Sequence, residues 1–344
     1  MAEVSRIGLD TSKAVFVLHG VDAQERVVLR RQLRRAQVEA FFAALPPVLV
    51  GLEACGASHH WARLLTAQGH EVRLLPPQYV KAYLKRGKSD ARDAEAICEA
   101  LGRPTMRFVP VKSAGQQAAL MLHTTRDRLV RQRTALGNAI RGHAAEFGLC
   151  AAKGLGRIEA LLAEVAASAA VPALARELLA MLGEQLAALE ERIEALERQL
   201  LAWHRSSALS RRLATIPGVG PLTATALAMK VPDPGAFTSG RHFAAWLGLT
   251  PKDHSTAGRQ RLGGITRAGD ENLRRLLVVG ATAVVQNAKP GRGSPWLLAL
   301  IARKPSKLAA VAWANKAARI AWRMMVSGEV YRPQPAAAPV AAAA

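Results

Sequence analysis

The sequence predicts an α/β domain followed by an all-α remainder, and three observations predict it. Over the first hundred residues, strand-like apolar runs alternate with helix-like segments. From about 114 to 206 the pattern turns almost wholly helical and contains a heptad seam. From about 207 to 328 it returns to short helices punctuated by glycine. A meander of strands followed by strand–helix alternation gives a mixed sheet.

Taken in order, residues 5–9 and 14–21 read as a hairpin around "DTSK", and "RVVLRRQL" (26–33) supplies a third strand. A helix at 36–45 is ended by Pro46 and Pro47. "VLVGLEACG" (48–56) is a nearly continuous apolar strand of the buried kind. A helix (58–69), a strand (71–77) and helical runs at 78–85 and 90–102 complete the block. His59 and His60 read as polar residues at a helix start. This order is that of ribonuclease-H-like nucleases. The second block opens with "TTRDRLVRQRTALGNAIRGHAAEF", where Arg126, Arg128, Arg131, Arg133 and Arg141 surround a stripe of Leu129, Leu136 and Ile140. Leu182, Leu186, Leu189, Ile193, Leu196 and Leu200 then alternate by four and three. That spacing predicts a coiled-coil arm, although an amphipathic helix in a bundle has the same pattern. The resulting domains are 1–110, 111–206 (nucleic-acid binding and dimerisation) and 207–330, with a low-complexity, disordered tail at 331–344. Trp246, Trp296, Trp313 and Trp322 fall on apolar helical faces and are expected in the core.

The chain of 344 residues carries 47 Lys and Arg against 26 Asp and Glu, a net charge of +21. A protein that basic repels itself, and a polyanionic partner is the usual compensation. A GC-rich genome also enriches Arg and Ala, but it does not explain why acids are not enriched alongside. Cys55, Cys98 and Cys150 form no CxxC pair, so neither a disulfide scaffold nor a structural zinc site is indicated. No signal peptide and no apolar run of the ~18 residues a membrane span needs are visible, which predicts a cytoplasmic protein without a membrane partner.

The apolar run "IGLDTSKAVFVLHGVD" is broken at Asp10. Burying an unpaired carboxylate costs several kcal/mol, so a compensating positive group is expected. Glu53 ends the buried strand "VLVGLE", at the carboxyl edge where α/β sheets place their ligands. Asp90 and Asp93 sit three apart at a helix start, on one face. Taken singly, Asp10 also fits a hairpin turn, Asp90 a helix cap and Asp93 a first-turn acid. Together the four carboxylates are what a pair of Mg²⁺ or Mn²⁺ ions needs for phosphoryl displacement. Lys13 beside Asp10 suits a phosphate contact or a solvated turn. In "LATIPGVGPLTATALAMKV", Gly218 and Gly220 between two helical segments resemble a helix-hairpin-helix, whose glycines let backbone N–H groups approach a phosphate.

The motifs "IGLDTSK", "LEACG", "KSDARDAEAI", "IPGVG" and "AAWLGLTP…S…GGITRAGDENLRRLL", in this order, resemble the DEDD-type insertion-sequence transposases. The resemblance spans residues 5–328. It implies a RuvC-like domain followed by a C-terminal transposase domain, with Asp10, Glu53, Asp90 and Asp93 as the metal tetrad. It further implies a serine nucleophile after "GLTP"; Ser255 and Thr256 are the two candidates, and the less hindered hydroxyl favours Ser255. Arg259, Arg261 and Arg267 would hold phosphates near it. The implied partners are donor and target DNA, a non-coding bridge RNA, and further copies of the chain as a dimer or tetramer. Two other functions use the same features. A RuvC-like junction resolvase would attack with water, and a non-catalytic nucleic-acid-binding protein would use only the basic helices.

Overall fold

The computed structural model describes residues 3–85, 87, 89–256, 258–289 and 294–332. Residues 333–344, most of the expected tail, lie outside the described residues. The chain divides into two compact units, Met1–Gln117 and Ala118–Ala344.

The first unit is built on a five-stranded mixed sheet in the order β3-β2-β1-β4-β5. β1 (Arg6–Asp10), β2 (Val15–Val21) and β3 (Val27–Arg34) form the antiparallel meander. β4 (Leu49–Glu53) and β5 (Glu71–Leu75) then add in parallel to β1. The apolar runs of β1, β2 and β4 are buried because helices cover both sheet faces. On one face, Ile7, Leu9, Val50 and Leu52 pack with Val38 and Phe42 of α1 (Arg35–Ala43) and with Trp61 and Leu65 of α2 (Ser58–Ala67). A short helix, α3 (Pro77–Val80), follows β5. The other face takes α4 (Asp90–Leu101), where Ile97 and Leu101 pack with Leu75 and Val80.

Two glycines decide how closely α4 lies. Gly8 of β1 and Gly51 of β4 are paired in register. A β-carbon on Gly8 would stand 2.5 Å from the Cys98 amide and still nearer the Ala94 carbonyl. One on Gly51 would stand 2.8 Å from Leu101. The helix backbone therefore rests directly on the sheet.

Among the described residues, the second unit is mainly helical and carries one hairpin. α5 (Ala114–Ala145) leads into it, and α6 (Ile158–Ala167) and α7 (Ala173–Ser206) follow. The block from residue 207 contains α8 (Ala208–Leu213), α9 (Pro221–Lys230), α10 (Gly240–Trp246), α11 (Glu271–Gln286), α12 (Pro295–Arg303) and α13 (Ser306–Ser327). Two of these, α11 and α13, are longer than the glycine punctuation suggests. Ala309, Ala310, Ala314, Ala317, Ala318 and Ala321 of α13 are buried in one core with Leu273, Leu277 and Ala281 of α11. Small side chains let the two backbones approach, which a reading by apolar periodicity underweights.

Two expectations change. Residues 251–265 were expected among helices but form a hairpin, β6 (Pro251–Asp253) and β7 (Leu262–Ile265). The heptad seam is covered within the chain. Leu179 and Leu186 join a core with Ile140 of α5 and with Ile158, Leu161 and Val165 of α6. Leu189, Ile193 and Leu200 are also buried. A 3.5-residue period states only that a helix has one apolar face; the chain's own helices supply the cover here. Replacing Gly8 by Ala should unseat α4 and lower unfolding stability by roughly 1–3 kcal/mol or more, as overpacking does. Urea unfolding measures this, and an unchanged midpoint would show that α4 tolerates the extra carbon.

Candidate active site

Because β1 and β4 run parallel with Leu9 opposite Leu52, Asp10 and Glu53 end adjacent strands at the same edge. Asp10 is the last residue of β1, paired with Val17, and not part of the turn. The seating of α4 brings its first turn to this edge. Ser89 occupies the cap position, so Asp90 and Asp93 are left free of that role. Carboxylate oxygens of Asp10, Asp90 and Asp93 lie within 4.8 Å of one another. Glu53 is outside that tightest group but close enough to interact electrostatically with Asp10 and Asp93.

The electrostatics are those of crowded negative charge. Burial pushes the Asp10 carboxyl up to about 6, and the charges of Asp93, Asp90 and Glu53 add to it. The Thr11 amide opposes the shift. Burial and Asp93 also raise Glu53, with Lys81 working against them. Hard oxygen donors at this spacing, one of them driven towards its neutral form, fit a divalent cation such as Mg²⁺. Lys13 is exposed beside this edge. His59 is no ligand: it accepts a hydrogen bond from the Lys112 amide at 3.1 Å, and burial holds its pKa down at about 4.

The second unit holds the remaining candidates. Ser255 lies in the connection between β6 and β7. Its Oγ accepts from the Arg261 amide at 3.0 Å, and its amide donates to Asp253 Oδ1 at 2.8 Å. Interactions with Ser255 hold the Asp253 carboxyl below its ordinary range. Asp253 escaped the sequence reading, although an Asp two residues before a Ser is a recurrent local turn signal. Thr256 closes the tip instead, exchanging backbone hydrogen bonds with Arg259. Arg259, Arg261 and Arg267 are exposed along the same segment.

The "IPGVG" segment joins α8 to α9. Gly218 has φ 84°, and its β-carbon would meet the Gly280 carbonyl of α11 at 2.8 Å. Packing against α11 alone therefore requires this glycine. Gly220 is exposed at the start of α9, with open space where a β-carbon would stand. Of the α5 arginines, Arg126 pairs with Glu197 of α7 at 2.5 Å and pins the two helices. Arg131 pairs with Asp127 and is largely exposed; Arg133 is half-buried. No helix among the described residues is long and apolar enough to cross a membrane.

A mixed sheet presenting clustered carboxylates at the carboxyl edge of parallel strands is an arrangement that can hold a hard cation for phosphoryl chemistry. Comparisons narrow that class. Residues 7–147 match the transposase family of DEDD type from IS110 elements, and residues 210–295 match the family described as Transposase IS116/IS110/IS902. The chain is 59% identical to a protein named as transposase y4pF/y4sB of Sinorhizobium fredii, over 96% of this chain and 86% of that one. It is 53% identical to a family 20 transposase of Pseudomonas aeruginosa, over 96% and 99%. It is 39% identical to the transposase for insertion sequence element IS1111A of Coxiella burnetii, over 96% and 92%. The chain belongs to the IS110/IS116/IS902 family of insertion-sequence transposases, enzymes of DNA cleavage and strand transfer.

The raised Asp10 pKa makes a stability statement. Its folded value, about 6, lies above the ordinary 3.8. The stability it contributes is therefore present below about pH 4 and lost as pH rises through about 6. Asp10→Asn should melt higher than the unmodified chain at about pH 7 without metal, with the gap closing towards pH 4. Mg²⁺ should narrow that gap, and its affinity should fall below about pH 6, where protons compete. Scanning calorimetry and titration calorimetry read these outcomes; equal melting at both pH values would refute the crowding.

Proposed function

We propose that this transposase is guided by a non-coding bridge RNA and cuts and rejoins DNA with two separate sets of residues. Asp10, Glu53, Asp90 and Asp93 form the metal-holding set of a ribonuclease-H-like domain, and Ser255 is the nucleophile. The observation that carries the reading is the convergence of Asp10, Asp90 and Asp93 within 4.8 Å in a chain of DEDD-transposase kinship. A divalent ion held there supplies neutralisation of the crowded carboxylates and of the charge that builds on phosphorus.

Ser255 Oγ forms the new bond to phosphorus while the scissile sugar oxygen leaves as a hydroxyl. The phosphodiester energy is kept in the serine ester for rejoining, so no nucleotide hydrolysis is needed. Asp253 orients the hydroxyl; its depressed pKa makes it a weak base and a good hydrogen-bond acceptor. Exposed Arg259, Arg261 and Arg267 supply charge-assisted contacts to the phosphates, and Lys13 does so near the carboxylates. The net charge of +21 supports both nucleic-acid partners. Arg131 and Arg133 of α5, together with the α8–α9 turn at Gly218 and Gly220, extend the backbone-binding surface. The active form is a dimer or tetramer. With the heptad seam covered, the exposed residues Leu174, Leu178 and Met181, again spaced four and three, remain for a partner helix.

Asp93→Asn should lower cleavage roughly 10³-fold or more while the fold persists, since loss of crowded charge seldom destabilises. Cleavage at the unmodified rate would refute the metal site. For the serine, incubation with cognate DNA and co-purified RNA, nuclease and protease digestion, and mass spectrometry should find a nucleotide on Ser255. A nucleotide on Thr256 moves the nucleophile by one residue. Full recombination by the Ser255→Ala, Thr256→Ala double variant would overturn covalent catalysis. Sequencing of the co-purified RNA tests the guide; the absence of any defined species would remove it.

A further inference from the structure

A cleft in the second unit is lined by none of the residues given a functional role above. Its volume is about 1330 Å³, beyond the roughly 300–1,000 Å³ of small-molecule sites. One wall is α13, and Trp296 from the first turn of α12 packs beside it. One rim is formed by Pro251, Gly263, Gly264 and Ile265 of the hairpin that carries Ser255.

Charge and aromatic surface coincide there. Five basic residues line the cleft, Arg241, Lys316, Arg319, Arg323 and Arg332, against a single acid, Glu329. Glu329 is already near Arg323, at 4.0 Å. Neither Arg241 nor Arg319 has an acidic partner among the described residues. Trp296, expected in the core, is 38% exposed and leans on Trp313 at 6.1 Å between ring centroids. Trp313 is itself fixed, buried to 2% exposure with its indole N–H donating to the Pro217 carbonyl at 3.0 Å. The Lys316 ammonium lies over the Trp296 ring, 4.4 Å from its centroid. Burial, together with the neighbouring Arg319 charge, lowers the Lys316 pKa.

We propose that this cleft binds an unpaired stretch of nucleic acid, with a base stacked on Trp296 and the flanking phosphates held by Lys316, Arg319 and Arg241. A partly exposed indole braced against a buried one is a stacking platform for a base that displaces the cation on its face, and basic residues beside it track a sugar–phosphate backbone. A duplex keeps its base faces covered and cannot use the platform. The arriving base takes the ring face from the Lys316 ammonium, whose flexible stem carries it to the adjoining phosphate. A strand leaving along the hairpin rim runs towards Ser255. The inference rests on the reading of the chain as acting on nucleic acid and adds a site for a single strand, from the guide RNA or from opened DNA.

The test uses the full chain in metal-free buffer, with single-stranded DNA and RNA oligonucleotides containing 2-aminopurine and a matched duplex. Fluorescence quenching reports stacking and anisotropy reports affinity. Trp296→Ala should abolish the quenching and weaken single-strand binding roughly 5- to 150-fold. Duplex affinity should be unchanged, and Trp296→Phe should keep most of the quenching. Replacing both Lys316 and Arg319 by Gln should flatten the single-strand salt slope by about 0.7 for every phosphate that is no longer neutralised. Loss with RNA alone assigns the cleft to the guide, loss with DNA alone to an opened DNA strand, and loss with both to either source. Unchanged quenching and affinity in a Trp296→Ala chain that melts like the parent would overturn the proposal, as would equal weakening of duplex binding. No cleavage is read, so that failure leaves the metal and serine assignments standing. Failure of the unmodified chain to bind any nucleic acid would strike both.

Discussion

The contact on which the first unit depends is the seating of α4 on the paired glycines of β1 and β4. Gly8 and Gly51 carry no β-carbon, so the helix backbone rests on the sheet and Ala94 and Cys98 fill the groove. That closeness has a consequence at the carboxyl edge. A helix held one side chain further away would leave Asp90 and Asp93 remote from Asp10. The acidic cluster is thus produced by an absence of side chains elsewhere in the same helix–strand contact, while the hydrophobic cover of Ile97 and Leu101 holds the helix there. The carboxylate cluster is by itself electrostatically unfavourable, and the stability that offsets it comes from the apolar layers on either side of the sheet.

The second unit solves a different problem, presenting polar groups from a helical framework. Alanines along α13 let it lie close against α11, and the "IPGVG" turn tucks Gly218 against Gly280 by the same device. From this base the β6–β7 hairpin projects with Ser255 held between Asp253 and the Arg261 amide. A hairpin holds a hydroxyl's direction better than an open loop does, because cross-strand hydrogen bonds fix the backbone on both sides. The same framework anchors Trp313 and, through it, the Trp296 platform.

Positive charge is divided by the fold into structural and available parts. Arg126 is used in pinning α5 to α7 through Glu197. Lys230 bridges to Asp270 at the start of α11, at 2.8 Å. Arg259, Arg261 and Arg267 remain exposed to a partner, as do Arg241 and Arg319 in the cleft. Arg131 is largely exposed and shares the mostly buried Asp127 with Arg275.

Much of this was legible in the sequence. Alternating apolar runs, proline stops and the break at Asp10 placed every strand and helix of the first hundred residues to within a few positions. Asp10 and Glu53 stood out as carboxylates at the ends of apolar strands, and Asp90 and Asp93 as a pair three apart at a helix start. The rest needed three dimensions. The heptad of α7 states that one face is apolar but not which surface covers it, and the chain's own α5 and α6 cover much of it. The hairpin at 251–265 is too polar and glycine-rich to show a strand period. Trp296 follows an apolar pattern yet stands in the open, since periodicity marks a face and not its burial. Local sequence determined the elements and their chemistry; the register of Gly8 with Gly51, and what packs against each apolar face, were decided by tertiary contacts between segments far apart in the chain.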